Sequence, residues 1–403
     1  MTHLPVRATP GSGASLDPGT GDTENPLATL PRTCHRRRMP AVDLRALDPQ
    51  AIDAAAATSR LSGVVAVDVG EERIIERCYG HAHRALGVPN MATTRFALAS
   101  GGKFPTALAI MRLVESGTLR LSDPVRPILG DDLPLIDDRV TVEHLLGHTS
   151  GIGDYLDEDA DWEASDYVLS IPVHTLVDTA AFVPAIDGYP QRSEPGERFV
   201  YNNGAYIVLA LVIERVTSVG YHDYVEREVC ARAGLTGTAF LRSDELPGDA
   251  ALGYLFDEGD RTNVLHLPVR GNGDGGIYST VSDLHTLWRA FLAGRIVGDD
   301  LVATMIAPRH DVPDEGKRYG LGCWLHATGP ALVIEGYDAG VSMRSIHDPA
   351  TATTATVLGN SSEGAWRVAR LLLHSFDCAR PPGTTSHTWA RKAQSGTQTC
   401  VPD

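Results

Sequence analysis

Apolar residues alternate or cluster in short runs near both ends of this chain, and in its middle they recur at the three- and four-residue spacing of helices. Residues 62–70 and 73–78 read as a hairpin of two strands rich in β-branched side chains. The stretches 107–116, 206–216 and 284–292 carry apolar residues at helical spacing, the second stopping near Val219-Gly220. Four short strand-like runs follow at 321–327, 331–335, 341–347 and 353–358, and an amphipathic helix closes over 365–376. Strands at both ends with helices between them predict one sheet completed by the two ends of the chain. Residues 1–38 are rich in Gly, Pro, Thr and Asp without periodicity and are expected to be a disordered extension; the polar stretch 381–403 is expected to be a disordered tail. One folded domain over 39–380 remains.

Charge and cysteine usage narrow the function classes. A formal charge of −16 over 403 residues argues against a nucleic-acid partner and against anionic membrane surfaces. No apolar run is long enough to span a bilayer. The basic cluster Arg36-Arg37-Arg38 has no hydrophobic region behind it, so no leader is recognised and the cytoplasm is the expected location. The six cysteines are scattered, without zinc or redox spacing, and are expected to be reduced and mostly packed.

Candidate chemistry begins at Phe96-Ala97-Leu98-Ala99-Ser100-Gly101-Gly102-Lys103, ahead of the first apolar helix. Three-residue spacing places the Ser100 hydroxyl and the Lys103 amine on one face of a helical turn that would begin at Ser100. A serine needs a neighbouring base to become nucleophilic, and a desolvated lysine can serve. Pro105 is tolerable because it would fall in the first turn. The adjacent glycines Gly101 and Gly102 weaken a helix start, and serve either close backbone approach or small packing.

Further motifs follow in order: Leu145-Leu146-Gly147-His148-Thr149-Ser150-Gly151-Ile152, Tyr201-Asn202-Asn203-Gly204, Gly275-Gly276-Ile277-Tyr278-Ser279-Thr280, and Gly336-Tyr337-Asp338-Ala339-Gly340. On these residues the chain resembles the serine β-lactamase and penicillin-binding-protein superfamily, in its class C-like branch with esterases and D-peptidases. The resemblance implies an α+β (α/β sandwich) fold of the β-lactamase/transpeptidase-like type: an antiparallel sheet flanked by helices, with the sheet region near 55–100 and 275–376 and an inserted, mostly helical region near 120–270. It implies Ser100 as nucleophile, Lys103 and Tyr201 as the groups that move its proton, and Asn203 as a hydrogen-bonding partner of the lysine and the acyl group. Asn203 could also cap the following helix. Which of Lys103 and Tyr201 is the first base stays open. No cofactor and no metal are implied.

The third motif departs from the pattern. Relatives carry Lys-Thr-Gly or His-x-Gly where this chain has Ile334-Glu335-Gly336. Ile334 cannot donate a hydrogen bond, and Glu335 would repel a substrate carboxylate. Gly336 fits, and the backbone N–H of Tyr337 could join that of Ser100 in an oxyanion hole. Arg344 either replaces the lost cation or is a surface arginine.

Three other patterns carry less. Residues 271–276 satisfy G-x-G-x-x-G without a strand-helix-strand setting, and read as a glycine-rich turn before a helix. His144 and His148 are four apart, but the helix should end at Gly147, leaving His148 to stabilise a turn. The acidic run 154–161 lacks the calcium loop's glycine and glutamate, and reads as a solvated loop with Tyr155 at a pocket rim. The expected function is a serine hydrolase acting on a small carboxylic ester or amide through an acyl-enzyme, esterase-like in preference. A β-lactamase or D-amino-acid peptidase, acting on a lactam or peptide, is the alternative by the same mechanism. A non-catalytic binder retaining the fold is the alternative from another class. Oligomeric state is not readable.

Overall fold

The computed structural model describes residues 47–156 and 168–376. The expected disordered segments, Cys34, Cys378, Cys400 and acidic positions 157–161 lie outside them. The chain opens with helix α1 (Pro49–Thr58), capped by the Asp48 side chain on the Gln50 N–H. Strands β1 (Gly63–Val69) and β2 (Glu72–Tyr79) form the predicted hairpin, with a register shift at Val67/Asp68. Far along the chain come β3 (His310–Val312), β4 (Lys317–Tyr319), β5 (Trp324–His326), β6 (Leu332–Asp338), β7 (Val341–Asp348) and β8 (Thr353–Gly359). They join in one eight-stranded antiparallel sheet of order β2-β1-β8-β7-β6-β5-β4-β3. The two ends of the chain meet where β1 pairs with β8, Gly63 opposite Gly359. The α+β architecture expected from the sequence is the one found.

Side-chain alternation divides β1 between two cores. Val64 and Ala66 face one side with Phe104, Leu108, Met343 and Leu358. Val65 and Val67 face the other with Ile52, Ile346, Val357 and Leu372. That second face is covered by α1 and the closing helix, α6 (Trp366–Ser375). The first is covered by α2 (Lys103–Glu115) and α5 (Val281–Leu292), while α3 (Val142–Leu146) and α4 (Gly204–Thr217) pack in the inserted region. Ten of the fourteen residues of α4 are buried, so its N-terminus is a fixed platform rather than a surface end. Among the described residues no single helix is long and apolar enough to cross a membrane.

The nucleophile segment is held from two directions. Phe96–Ala97 pairs with Tyr278–Ser279, and the Leu98 N–H donates to Ile277 O at 2.9 Å. The helix does not begin at Ser100 as expected: Ala99–Gly102 is a 3-10 turn and α2 starts at Lys103. The cause is local. Ala99 has φ +44°, which bends the chain sharply just before Ser100. A Cβ on Gly102 would lie 2.9 Å from the Gly275 Cα, so close backbone approach explains at least that glycine.

Candidate active site

Ser100 lines a narrow cleft together with Lys103, Tyr201, Tyr319, Trp324 and Glu335. Lys103 is buried, and its Nζ donates to Ser100 Oγ at 2.9 Å, Asn203 Oδ1 at 2.6 Å and the Asp274 carbonyl at 2.7 Å. Three acceptors suit the three protons of an ammonium. Loss of one proton would leave two donors for Asn203 and Asp274 and a lone pair facing the hydroxyl. The ammonium also lies 5.0 Å from the centre of the Tyr201 ring. Ser100, Lys103, Tyr201 and Asn203 are thus gathered into one cluster from segments a hundred residues apart.

Tyr201 is wedged between rings. His148 packs on one side with centroids 4.4 Å apart, and Trp324 stacks nearly parallel at 5.9 Å. His148 has φ +56° and accepts the Asn202 N–H on Nδ1 at 3.1 Å, so it does stabilise the turn. Burial, the Lys103 charge and His310 hold its pKa well below the ordinary imidazole range, which keeps it the neutral acceptor this bond requires. His144 instead caps α3 reciprocally with Thr141, and Gly147 ends that helix.

Two expectations near α4 are corrected. The Asn203 side chain makes no capping bond. Asp154 caps the helix in its place. The Asp154 carboxylate accepts from the N–H groups of Asn203 at 2.6 Å and Gly204 at 3.0 Å, while Asn202 Oδ1 accepts from Ala205 at 2.7 Å. Asn203 can therefore turn its carbonyl oxygen to Lys103. Asp154 is buried, not solvated, because the helix end it serves is buried. Its neighbour Tyr155 donates from Oη to Asp274 Oδ2. Burial raises the Asp274 carboxyl pKa, against the lowering effects of Lys103 and that phenol. The glycine-rich segment is the turn expected: the Gly276 N–H donates to Ala99 O at 3.1 Å, and Asp274 presents its carbonyl to Lys103.

At the sheet edge, Gly336 is pressed against the nucleophile turn. A Cβ there would fall 2.0 Å from Leu98 O, so any other residue would push β6 away from Ser100. The next peptide belongs to Tyr337, a residue 40% exposed whose ring lies near that of Trp366. Ile334 is buried in the apolar core on the α2 side. Arg344 is neither a surface arginine nor a free cation. Its Nη2 and Nε lie 2.7 and 2.9 Å from Glu335 Oε2, and Lys317 Nζ holds Oε1 of the same carboxylate. Arg344 stands directly opposite Glu335 in the β6–β7 register, which brings the two charges together. Lys317 escaped notice in the sequence because β4 is only three residues long.

Among the described residues no three His, Cys, Asp or Glu side chains converge to hold a metal ion. Cys230 and Cys323 are buried and free, and burial pushes both thiols up to about 12. Cys78 is exposed on β2, the edge strand of the sheet, so two of the three described thiols are packed.

Comparison with known proteins bears on the family and the fold. Penicillin-binding protein 4* of Bacillus subtilis (strain 168) is 28% identical over 285 residues, 67% of this chain and 61% of that protein. The chain spans about three fifths of the length of such curated relatives. The penicillin binding protein from Bacillus halodurans superposes with a TM-score of 0.75 at 35% identity, over 80% of this chain and 99% of the other. The D-amino acid amidase from Ochrobactrum anthropi SV3 shares the fold, with a TM-score of 0.66 at 22% identity over 81% of this chain and 98% of its own. The Beta-lactamase family model matches residues 49–375, and the chain belongs to that family.

Proposed function

We propose that this protein is a serine hydrolase that cleaves a small carboxylic ester through an acyl-Ser100 intermediate. The observation that carries the reading is the bridging position of Lys103 Nζ, bonded at once to Ser100 Oγ, Asn203 Oδ1 and the Asp274 carbonyl. Ser100 Oγ attacks the acyl carbon while its proton passes to Lys103 or Tyr201. The N–H groups of Ser100 and Tyr337 take the charge developing on the carbonyl oxygen. The proton then moves to the leaving alkoxide, and water attacks the acyl-enzyme by the same relay in reverse.

An ester is favoured over an amide or lactam bearing a carboxylate for one reason. Ile334 offers no hydrogen bond, and both cations nearest the β6 edge are engaged by Glu335. Penicillin-binding and amidase names among the relatives keep the amide and lactam reading as the second one.

A fluorophosphonate probe should label the protein once, at Ser100, and Ser100→Ala should abolish labelling. A folded protein that resists the probe would point instead to a binder. Hydrolysis of nitrophenyl esters should exceed that of nitrocefin and D-alanyl amides; the opposite order overturns the ester preference.

A further inference from the structure

We propose that Glu335 is a built-in stand-in for a substrate carboxylate, occupying a two-cation receptor beside the nucleophile and restricting the site to acyl groups without a negative charge. The inference rests on the hydrolase reading above and names the substrate class that reading leaves open.

Three observations carry it. The first is stoichiometry. Lys317 engages one oxygen of Glu335 and Arg344 the other, which is how a protein grips a carboxylate ligand. Glu315, 3.3 Å from Lys317, brings the cluster to neutrality, so an arriving anion finds no net attraction.

The second is placement. Glu335 lines the cleft that holds Ser100, Lys103 and Tyr201, and it immediately precedes the glycine pressed on the nucleophile turn. A carboxylate on the acyl chain would meet this carboxylate first.

The third is independence of the cations from the glutamate. The Lys317 ammonium lies 4.4 Å from the centre of the Trp324 ring, and the Arg344 guanidinium 5.4 Å from that of Trp366. Removing Glu335 would leave both charges held and a vacant position between them. A buried ion cluster of this kind is weak evidence for stability, so a role in selectivity is the better account of its presence. Burial alone would raise the Glu335 carboxyl pKa, yet Lys317 and Arg344 hold it at about 2, so the stand-in stays charged throughout the working pH range.

The test compares 4-nitrophenyl valerate with mono-4-nitrophenyl glutarate, esters of equal chain length that differ by a terminal carboxylate. Wild type should favour the valerate. In Glu335→Ser the glutarate-to-valerate ratio of kcat/KM should rise about tenfold or more, the scale of one charge-assisted hydrogen bond. Glu335→Gln, which removes the charge but fills the space, should give a smaller rise. Adding Lys317→Met to Glu335→Ser should return the ratio toward wild type. Calorimetry with monomethyl glutarate in a Ser100→Ala background gives a readout that needs no turnover. Binding should appear with Glu335→Ser and be absent without it. An unchanged ratio and no binding in folded Glu335→Ser and Glu335→Gln overturn the proposal; if the serine variant fails to fold, the glutamine variant decides. Failure of the hydrolase reading looks different, since Ser100 would then resist the fluorophosphonate whether or not monomethyl glutarate binds.

Discussion

Two buried polar clusters in this molecule contain the ingredients of proton-transfer chemistry, and only one faces a cleft. In the first, Lys103 ties Ser100 to Asn203 and Asp274. In the second, between α5 and the sheet, His285 Nδ1 lies 2.7 Å from Asp68 Oδ2 and Nε2 is 3.0 Å from Thr356 Oγ1. Thr356 bonds Ser345, its cross-strand partner, at 2.7 Å, and Trp288 Nε1 donates to Ser345 at 3.0 Å. By residue type this Asp-His-Thr chain looks more like a catalytic triad than the first cluster does. Its His285, Thr356 and Ser345 are wholly inaccessible, and they sit on a regular helix and regular strands. Ser100 is partly exposed and follows a residue in left-handed backbone. Access and backbone placement, not the inventory of side chains, separate a reactive cluster from a structural one.

The contrast breaks most sharply at Lys103. Lys103→Met, which keeps the length but not the amine, should lower kcat/KM on a nitrophenyl ester by about a thousandfold or more while the far-ultraviolet dichroism stays native. Retained activity would move the base entirely to Tyr201. In the sealed cluster the consequences should reverse. His285→Ala strips one partner from buried Asp68, whose carboxyl is desolvated by burial but held below the usual range by His285 and Arg73. Unfolding in urea should show a loss of about 3 kcal/mol, the upper end of the range for leaving a buried polar group short of a hydrogen bond, with activity per folded molecule nearly unchanged. A variant that folds normally but loses turnover would mean that the second cluster communicates with the first.

What was legible in the sequence follows the same divide. Ser100, Lys103, Tyr201 and Asn203 stood out because their spacing is local: each pair belongs to one short segment at the start of a helix. The sheet was legible because β1, β6, β7 and β8 are seven or eight residues long. Strands β3 and β4, three residues each, carry too little pattern to read, and Lys317 was lost with them. Asp154 hid at the start of an acidic run, where sequence alone does not tell a buried carboxylate from the acidic residues that follow it. The Lys103–Asp274 bond was invisible in principle, because it uses a main-chain carbonyl that every residue has. Glu335 was visible as a departure from the family pattern, but its meaning was not, since its partners come from two other strands.

The smallest effect should come from pH, at the edge of the sealed cluster. His347 stacks on Trp288 with centroids 6.0 Å apart and shares a 2.8 Å hydrogen bond with Thr354. Burial lowers its pKa to about 4; His285 and Arg289 push the same way and Asp348 opposes them. An unfolded histidine titrates near about 6.5. Between those values the unfolded chain binds a proton that the folded chain does not, so stability falls as pH falls. The contribution is fully present above the unfolded value and is lost progressively down to the folded one. At pH 5 this one residue should cost about 2 kcal/mol relative to pH 7. Urea midpoints for wild type and His347→Gln at both pH values isolate it, because the other buried histidines are common to the two proteins. The gap between them should narrow at pH 5 by roughly that amount. Parallel curves would mean that His347 is protonated in the fold, with Asp348 as its counter-charge.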